Sequence, residues 1–199
     1  MTAASTPKGE RRRQALAEAA AELLIEGGFD AVRHRAVAER AGLPLSSTTY
    51  YFDSLDELVA AAVEHHARGE LVRGTAQLAA LPARPRGVDA VIDLMLDQLL
   101  GPPAGDRDAE SVLLRYERLV ATFRRPYLRP LMRTLGAELR GLLLQVFTRS
   151  GIEVDERRLE HLIALVDGAV VNALIEIDPD PRAAARRTLR EFLSPRGPR

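Results

Sequence analysis

The chain has 199 residues, 46% of them apolar and none a cysteine. That is enough for one large domain or a small one joined to a larger, and it excludes disulfides, thiolate metal sites and cysteine nucleophiles. The 28 basic and 28 acidic residues cancel, and no apolar run approaches bilayer-spanning length, so a membrane partner is not expected and any polyanion contact must come from local charge placement.

Residues 1–10 are small, polar and prolyl, without the apolar stretch of a signal peptide, so a cytoplasmic location is expected. From there the periodicity is helical almost throughout, and no alternating β-branched run bounded by turns appears. The expectation is an all-α fold of about nine helices. Leu16, Ala20, Leu23 and Leu24 mark one face of a first helix, which Gly27-Gly28 should end through a left-handed cap. Phe29 and Val32 then plug its flank.

A short second helix runs from about His34 to Ala41, burying Val37, Ala38 and Ala41, and Gly42 permits a sharp turn. Pro44 pre-sets the start of a third. "SLDEL" then reads as a capping box, with Ser54 as cap and Glu57 three residues on, launching a long fourth helix toward Leu81. Pro82–Arg86 interrupts. A fifth helix carries Val88, Val91, Ile92, Met95, Leu96 and Leu99, and "GPPAGD" is a loop by composition.

A sixth helix is expected over about 109–121, a seventh to about Arg149, an eighth over 155–176 capped by Asp155, and a ninth over 181–193 behind Asp180 and Pro181. The closing "SPRGPR" reads as a frayed tail.

The third helix is the informative one. "PLSSTTYYF" packs hydroxyls and tyrosines, mediocre helix formers, into a helix-sized segment. With 100° per residue and Thr48 inward beside Phe52, Pro44 and Leu55 fall on the buried side, with Leu45 and Tyr51 at its margins. Ser46, Thr49 and Tyr50 then point outward, flanked by Ser47. A short anchored helix with an outward hydroxyl face, behind a helix and a glycine turn, suits the second helix of a helix-turn-helix, whose early residues meet base edges. Tyr51, Arg33 and Arg35 are placed for phosphates, which fix register without encoding sequence. Arg11–Arg13, ahead of the first helix, are further local charges.

These residues resemble a known family. "RRRQALAEAAAELLIEGGFDAVRHRAVAERAGLPLSSTTYYFDSLDELVAAAV" is similar to the DNA-binding head of TetR-family transcriptional regulators, with the "GG-F" turn, "VA-RAG" and "YYF-S--EL" together at the family's spacing. The resemblance implies a helix-turn-helix DNA-binding domain over 8–54 and a helical effector-binding and dimerisation domain over 55–194. It also implies double-stranded operator DNA, a second copy of the chain and a small-molecule effector as partners, with repression relieved by the effector. Three positions depart from the family's pattern. Thr49 stands where a tyrosine is common, Leu55 where a phosphate-binding lysine is common, and Arg33 where a Ser or Thr cap is frequent. Losing one cation should flatten the salt dependence of binding by about one unit of slope.

Following the resemblance, the eighth and ninth helices should pair with their two-fold mates. Leu162, Leu165, Val166, Ala169, Val170 and Ala173 make a broad apolar surface for such an interface or for the core, with Gly168 allowing close approach. Such a dimer would set its reading helices about 34 Å apart, or a multiple, on a near-palindromic site. Met95, Leu99, Leu113, Tyr116, Phe123, Met132 and Asn172 are candidate liners of an effector cavity, apolar with sparse polar handles; core packing would explain each as well.

Glu64, His65, His66 and Glu70 in "VEHHARGE" lack a third or fourth metal ligand at suitable spacing, so no metal or other cofactor is expected. No HExxH, phosphate loop, GxGxxG or GxSxG is present, so catalysis is not expected. Two readings compete: a small helical carrier or enzyme without DNA affinity, which leaves the Ser46, Thr49 and Tyr50 face without a purpose, and an architectural or assembly protein that uses the polar helix as a protein interface.

Overall fold

The computed structural model describes residues 6–193, which form nine α-helices and no strand; the "SPRGPR" tail lies outside the described residues. None of these helices is long and apolar enough to cross a membrane. The chain separates into two compact units, one running to Gly69 and taking up Glu117–Leu135, the other made of Glu70–Tyr116 and the chain from Gly136 onward.

The first unit is built on α1 (Pro7–Gly27), α2 (His34–Ala41), α3 (Leu45–Tyr51) and the first part of α4 (Leu55–Ala80). Thr6 starts α1, its Oγ accepting from the Gly9 N–H at 3.1 Å. Gly28 ends it at φ +68°, and a single 3-10 turn, Phe29–Ala31, follows. Because α1 begins at Pro7, Arg11–Arg13 lie inside the helix rather than ahead of it. Gly42 ends α2 in the left-handed region, φ +64°, where a side chain would be strained, and the Leu43 N–H reaches back to the Ala38 carbonyl. Leu16, Leu24, Val32, Val37, Phe52, Leu58 and Leu128 close the core. The "SLDEL" cap forms with a one-residue offset. The Glu57 N–H donates to Ser54 Oγ at 3.1 Å, but the Glu57 carboxylate accepts from the Asp53 N–H at 2.8 Å.

The second unit holds α5 (Val88–Leu100), most of α6 (Asp108–Thr122), most of α7 (Arg129–Arg149), α8 (Glu156–Ile175) and α9 (Pro181–Leu193). Asp155 caps α8 through the Arg158 N–H, and Asp180 caps α9 through the Ala183 N–H, both at 2.7 Å. Val91, Ile92, Leu96, Phe147, Leu159, Leu162 and Val166 form its centre. At Gly74 the helices come so close that a methyl group would meet Gln98 and Leu142 below 3 Å. A side chain at Gly74 would therefore have to displace the Gln98 amide and the Leu142 methyl.

α9 is held on α5 by a row of ion pairs. Arg182, Arg186 and Arg190, four residues apart, face Asp97, Asp93 and Asp89 in reverse order at 3.3, 2.5 and 2.7 Å. Arg182 is 7% exposed and is also gripped by Asp108, at 3.0 and 3.2 Å, and by the Gly101 carbonyl at 2.8 Å. Burial pushes the Asp97 carboxyl up, partly countered by Arg182. Burial acts on Asp108 in the same sense, but the bonds from Arg182 and from the Ala104 N–H outweigh it and hold that group below the usual carboxylate range.

Candidate nucleic-acid interface

α3 is seven residues long, too short to hold its shape without tertiary anchors. Two anchors are present. Thr48 is 0% exposed and donates its hydroxyl to the Leu45 carbonyl at 2.7 Å; Phe52 is 1% exposed and closes the helix with its N–H on the Thr48 carbonyl at 2.9 Å. Ser46, Thr49 and Tyr50 are exposed and Ser47 is half-buried, as the 100° projection predicts. The projection fails at its ends. Pro44, Leu45 and Leu55 are exposed, because Pro44 precedes the helix and the backbone turns extended at Phe52 (φ −134°), so a helical rotation no longer applies beyond it.

The free hydroxyls remain available. Thr49 Oγ reaches the Ser46 carbonyl only at 3.3 Å, a weak bond that a better acceptor can replace. Tyr50 and Tyr51 meet edge to face with centroids 4.9 Å apart, which fixes the angle of the exposed Tyr50 against the half-buried Tyr51. Of the nearby cations, Arg33 is exposed at the start of α2 and gives that helix no side-chain cap. Arg35 pairs with Glu39 at 3.2 Å on an open surface, worth little and easily exchanged. Arg40 is committed to α1, both guanidinium arms on Glu26 at 2.7 and 2.9 Å and one also on Glu22. Those bonds hold the Glu26 carboxyl below its ordinary range.

The residues expected to line an effector cavity are dispersed. Met95, Leu99 and Tyr116 belong to the core of the second unit, where Tyr116 donates to Asp167 Oδ1 at 2.7 Å. Burial, then that bond, pushes the Tyr116 phenol well up. Leu113 and Asn172 are exposed in the same unit. Met132 packs into the core of the first unit, to which Phe123, 87% exposed, also belongs. Among the residues expected at a dimer interface, Leu162, Val166, Val170 and Ala173 are closed inside their own protomer, so only Leu165 and Ala169 keep partial exposure. The uncovered side of α8 instead carries Ala164, Gly168, Val171 and Ile175. In "VEHHARGE", His65 meets Gln14 at 3.1 Å, Glu64 pairs with Arg68, and Glu70 pairs with Arg115.

Residues 16–62 match the family model described as bacterial regulatory proteins, tetR family, and residues 86–195 match that of the tetracyclin repressor-like C-terminal domain. The multidrug binding protein EbrR, solved with imidazole, is 30% identical, with a TM-score of 0.67 over 94% of this chain and 97% of that one. A TetR-family member from Streptomyces coelicolor A3, SCO1917, is also 30% identical, with a TM-score of 0.62 over 92% of this chain and 98% of that one. The HTH-type transcriptional regulator PksA of Bacillus subtilis (strain 168) is 38% identical over 55 residues, which span 28% of this chain and 27% of PksA.

Proposed function

Because the chain belongs to the tetR family of bacterial regulatory proteins and is a DNA-binding transcriptional regulator, we propose that it is a cytoplasmic homodimeric repressor that releases its operator when a small organic molecule enters the body. The observation that carries the DNA-contacting assignment is the division of α3, with Thr48 and Phe52 wholly inward and Ser46, Thr49 and Tyr50 outward. Ser46, Ser47 and Thr49 read base edges, Thr49 by its hydroxyl or its methyl. Tyr50, Tyr51, Arg33 and Arg35 hold the backbone. The variant Thr49→Ala/Tyr50→Phe is expected to lose about 1–3 kcal/mol of operator affinity with its dimer intact. The check is a gel shift on DNA flanking the native gene beside sedimentation. Equal affinity of the wild-type protein for that DNA and for random sequence would overturn the reading.

The dimer forms on the open side of α8, with α9 beside it. Ala164 and Gly168 allow close approach, while Val171 and the 73% exposed Ile175 supply apolar area that otherwise faces water. The turn beyond carries Ile177, an exposed β-branched residue at φ +57°, a strained placement that a partner contact would explain. Gly168 supplies a clean test, since a Cβ there meets nothing within 4 Å. Gly168→Glu should leave the protomer at least as helical, because glycine is a poor helix former, yet yield monomer at micromolar concentration. Sedimentation equilibrium reads the change, and a wild-type-like dimer would rule out this face.

EbrR has been solved with proflavin, ethidium and malachite green. By that likeness, the effector here is an organic molecule taken up by repacking around Met95, Leu99 and Tyr116, where Asp167 and the phenol supply the polar handle. The effector acts by binding better to the arrangement whose reading helices no longer match adjacent grooves.

A further inference from the structure

Four cations crowd the first two turns of α1, and Lys8 lies in the first, where the helix's own partial positive charge disfavours it and Glu10 is the acidic residue. Two of the four serve the fold. Arg11 turns its Nε to the Pro7 carbonyl at 3.1 Å. Arg13 stacks 4.9 Å over the Phe52 ring and lies 3.5 Å from Glu57. Lys8 and Arg12 do neither. Both are exposed, and no residue among those described forms an ion pair or hydrogen bond with them.

Lys8 and Arg12 line one groove of about 430 Å³ whose other walls include Ser46, Ser47, Tyr50 and Tyr51 of α3. Both cations thus border the same space as the hydroxyl residues of α3 and as Thr6, and they also border a second groove with Arg11, Ala41 and Leu43 on the other side. We propose that this groove seats one phosphate of the DNA backbone in each protomer, beside the base-reading face of α3. The proposal rests on the DNA-binding reading above and adds α1 to it as a second contact element.

Neither cation is paired with any described residue, and Lys8 sits in the first turn, where the helix's partial positive charge disfavours it, so an anion in the groove would offset that cost. A phosphodiester offers oxygens to Arg12 in its fork geometry and to Lys8 as a point charge. The duplex backbone is the anion that α3 itself delivers, because Ser46 and Tyr50 belong both to the groove and to the outward hydroxyl face. Such a seat fixes the register of α3 in the major groove and reads no sequence. The missing cation at Leu55 is thereby balanced from α1.

The test is Lys8→Met/Arg12→Met in the full-length protein, with binding measured against salt concentration and thermal stability in parallel. One phosphate per protomer, two per dimer, predicts a slope of log affinity on log salt that is shallower by about two. Affinity should fall roughly ten- to a hundredfold near physiological salt, by the same factor on operator and on random DNA. The melting temperature should stay or rise slightly, because the first turn of α1 loses the unfavourable Lys8 charge; a structural role for these residues would lower it. Lys8→Arg/Arg12→Lys should keep the wild-type slope. An unchanged slope in the methionine variant overturns the proposal, as does a loss confined to particular base pairs. So does stabilisation of the wild-type protein by inorganic phosphate with no change of slope in the variant, which would make the groove a free-anion site. If the wild-type protein shows no salt-dependent DNA binding, the underlying DNA-binding reading has failed, and this proposal with it.

Discussion

Arg182→Met is expected to lower the unfolding free energy by about 3–5 kcal/mol, since removing one partner strands the others without compensation. The guanidinium donates to Asp108 from Nε and from one terminal nitrogen, which also serves the Gly101 carbonyl, and to Asp97 from the other, all in a setting where Arg182 is nearly closed to water. Methionine fills the volume but leaves two carboxylates facing an apolar chain. A melting shift of about 10 °C should follow, at 2–4 °C per kcal/mol for a chain of this size. The pH dependence gives the sign. In the wild-type protein Asp108 titrates below its ordinary range, so its contribution is present above about pH 4, the unfolded value, and is lost as pH falls through the lower folded value. In the variant the cation is gone and burial raises both Asp97 and Asp108. Their folded forms then bind protons more readily than the unfolded chain, so the deficit should be largest at neutral pH and narrow toward about pH 4. Calorimetry at several pH values checks both statements, and a deficit independent of pH would show that packing, not charge, dominates.

Phe52→Ala is the counterpart in the head. Deleting a fully buried phenylalanine costs about 3–5 kcal/mol, and here the loss falls on the residue that ends α3 and on which Arg13 stacks. A seven-residue helix gains little from its own backbone bonds, so without this plug the hydroxyl face loses its orientation. Operator binding should drop by more than about a hundredfold, the order expected from a loss of this size, while sedimentation still reports the wild-type assembly. Measured affinity within threefold of wild type would mean that α3 is held by something other than Phe52.

The helices were legible because their apolar spacing is local information, and the caps at Ser54, Asp155 and Asp180 sit within four residues of the amides they satisfy; the Thr6 cap was missed, and with it the first turn and a half of α1. So was the split of α3, down to the inward turn of Thr48. The rule lost its hold at Pro44, Leu45 and Leu55, at and beyond the ends of α3, because the backbone leaves helical geometry at Pro44 and Phe52. The α5–α9 ion pairs were a different matter. Asp89, Asp93 and Asp97, and Arg182, Arg186 and Arg190, are rows that local spacing alone does not distinguish from solvated faces, and the pairing spans 85 to 101 residues of chain. Which stripe of α8 is core was likewise hidden, since Leu162, Val166 and Val170 differ from Val171 and Ile175 in placement rather than in chemistry. Cavity-lining residues share the composition of any core, so Met95 and Met132 looked alike although they belong to different units.

The charged row between α5 and α9 also restricts how α9 can travel. Its teeth repeat every four residues, about 6 Å of helix, and opposite charges mesh all three at a single setting. Sliding by one tooth re-engages at most two and bares a charge at each end, so the row favours one axial setting of α9 on α5, with the closed-in Arg182 as the tooth that resists displacement most.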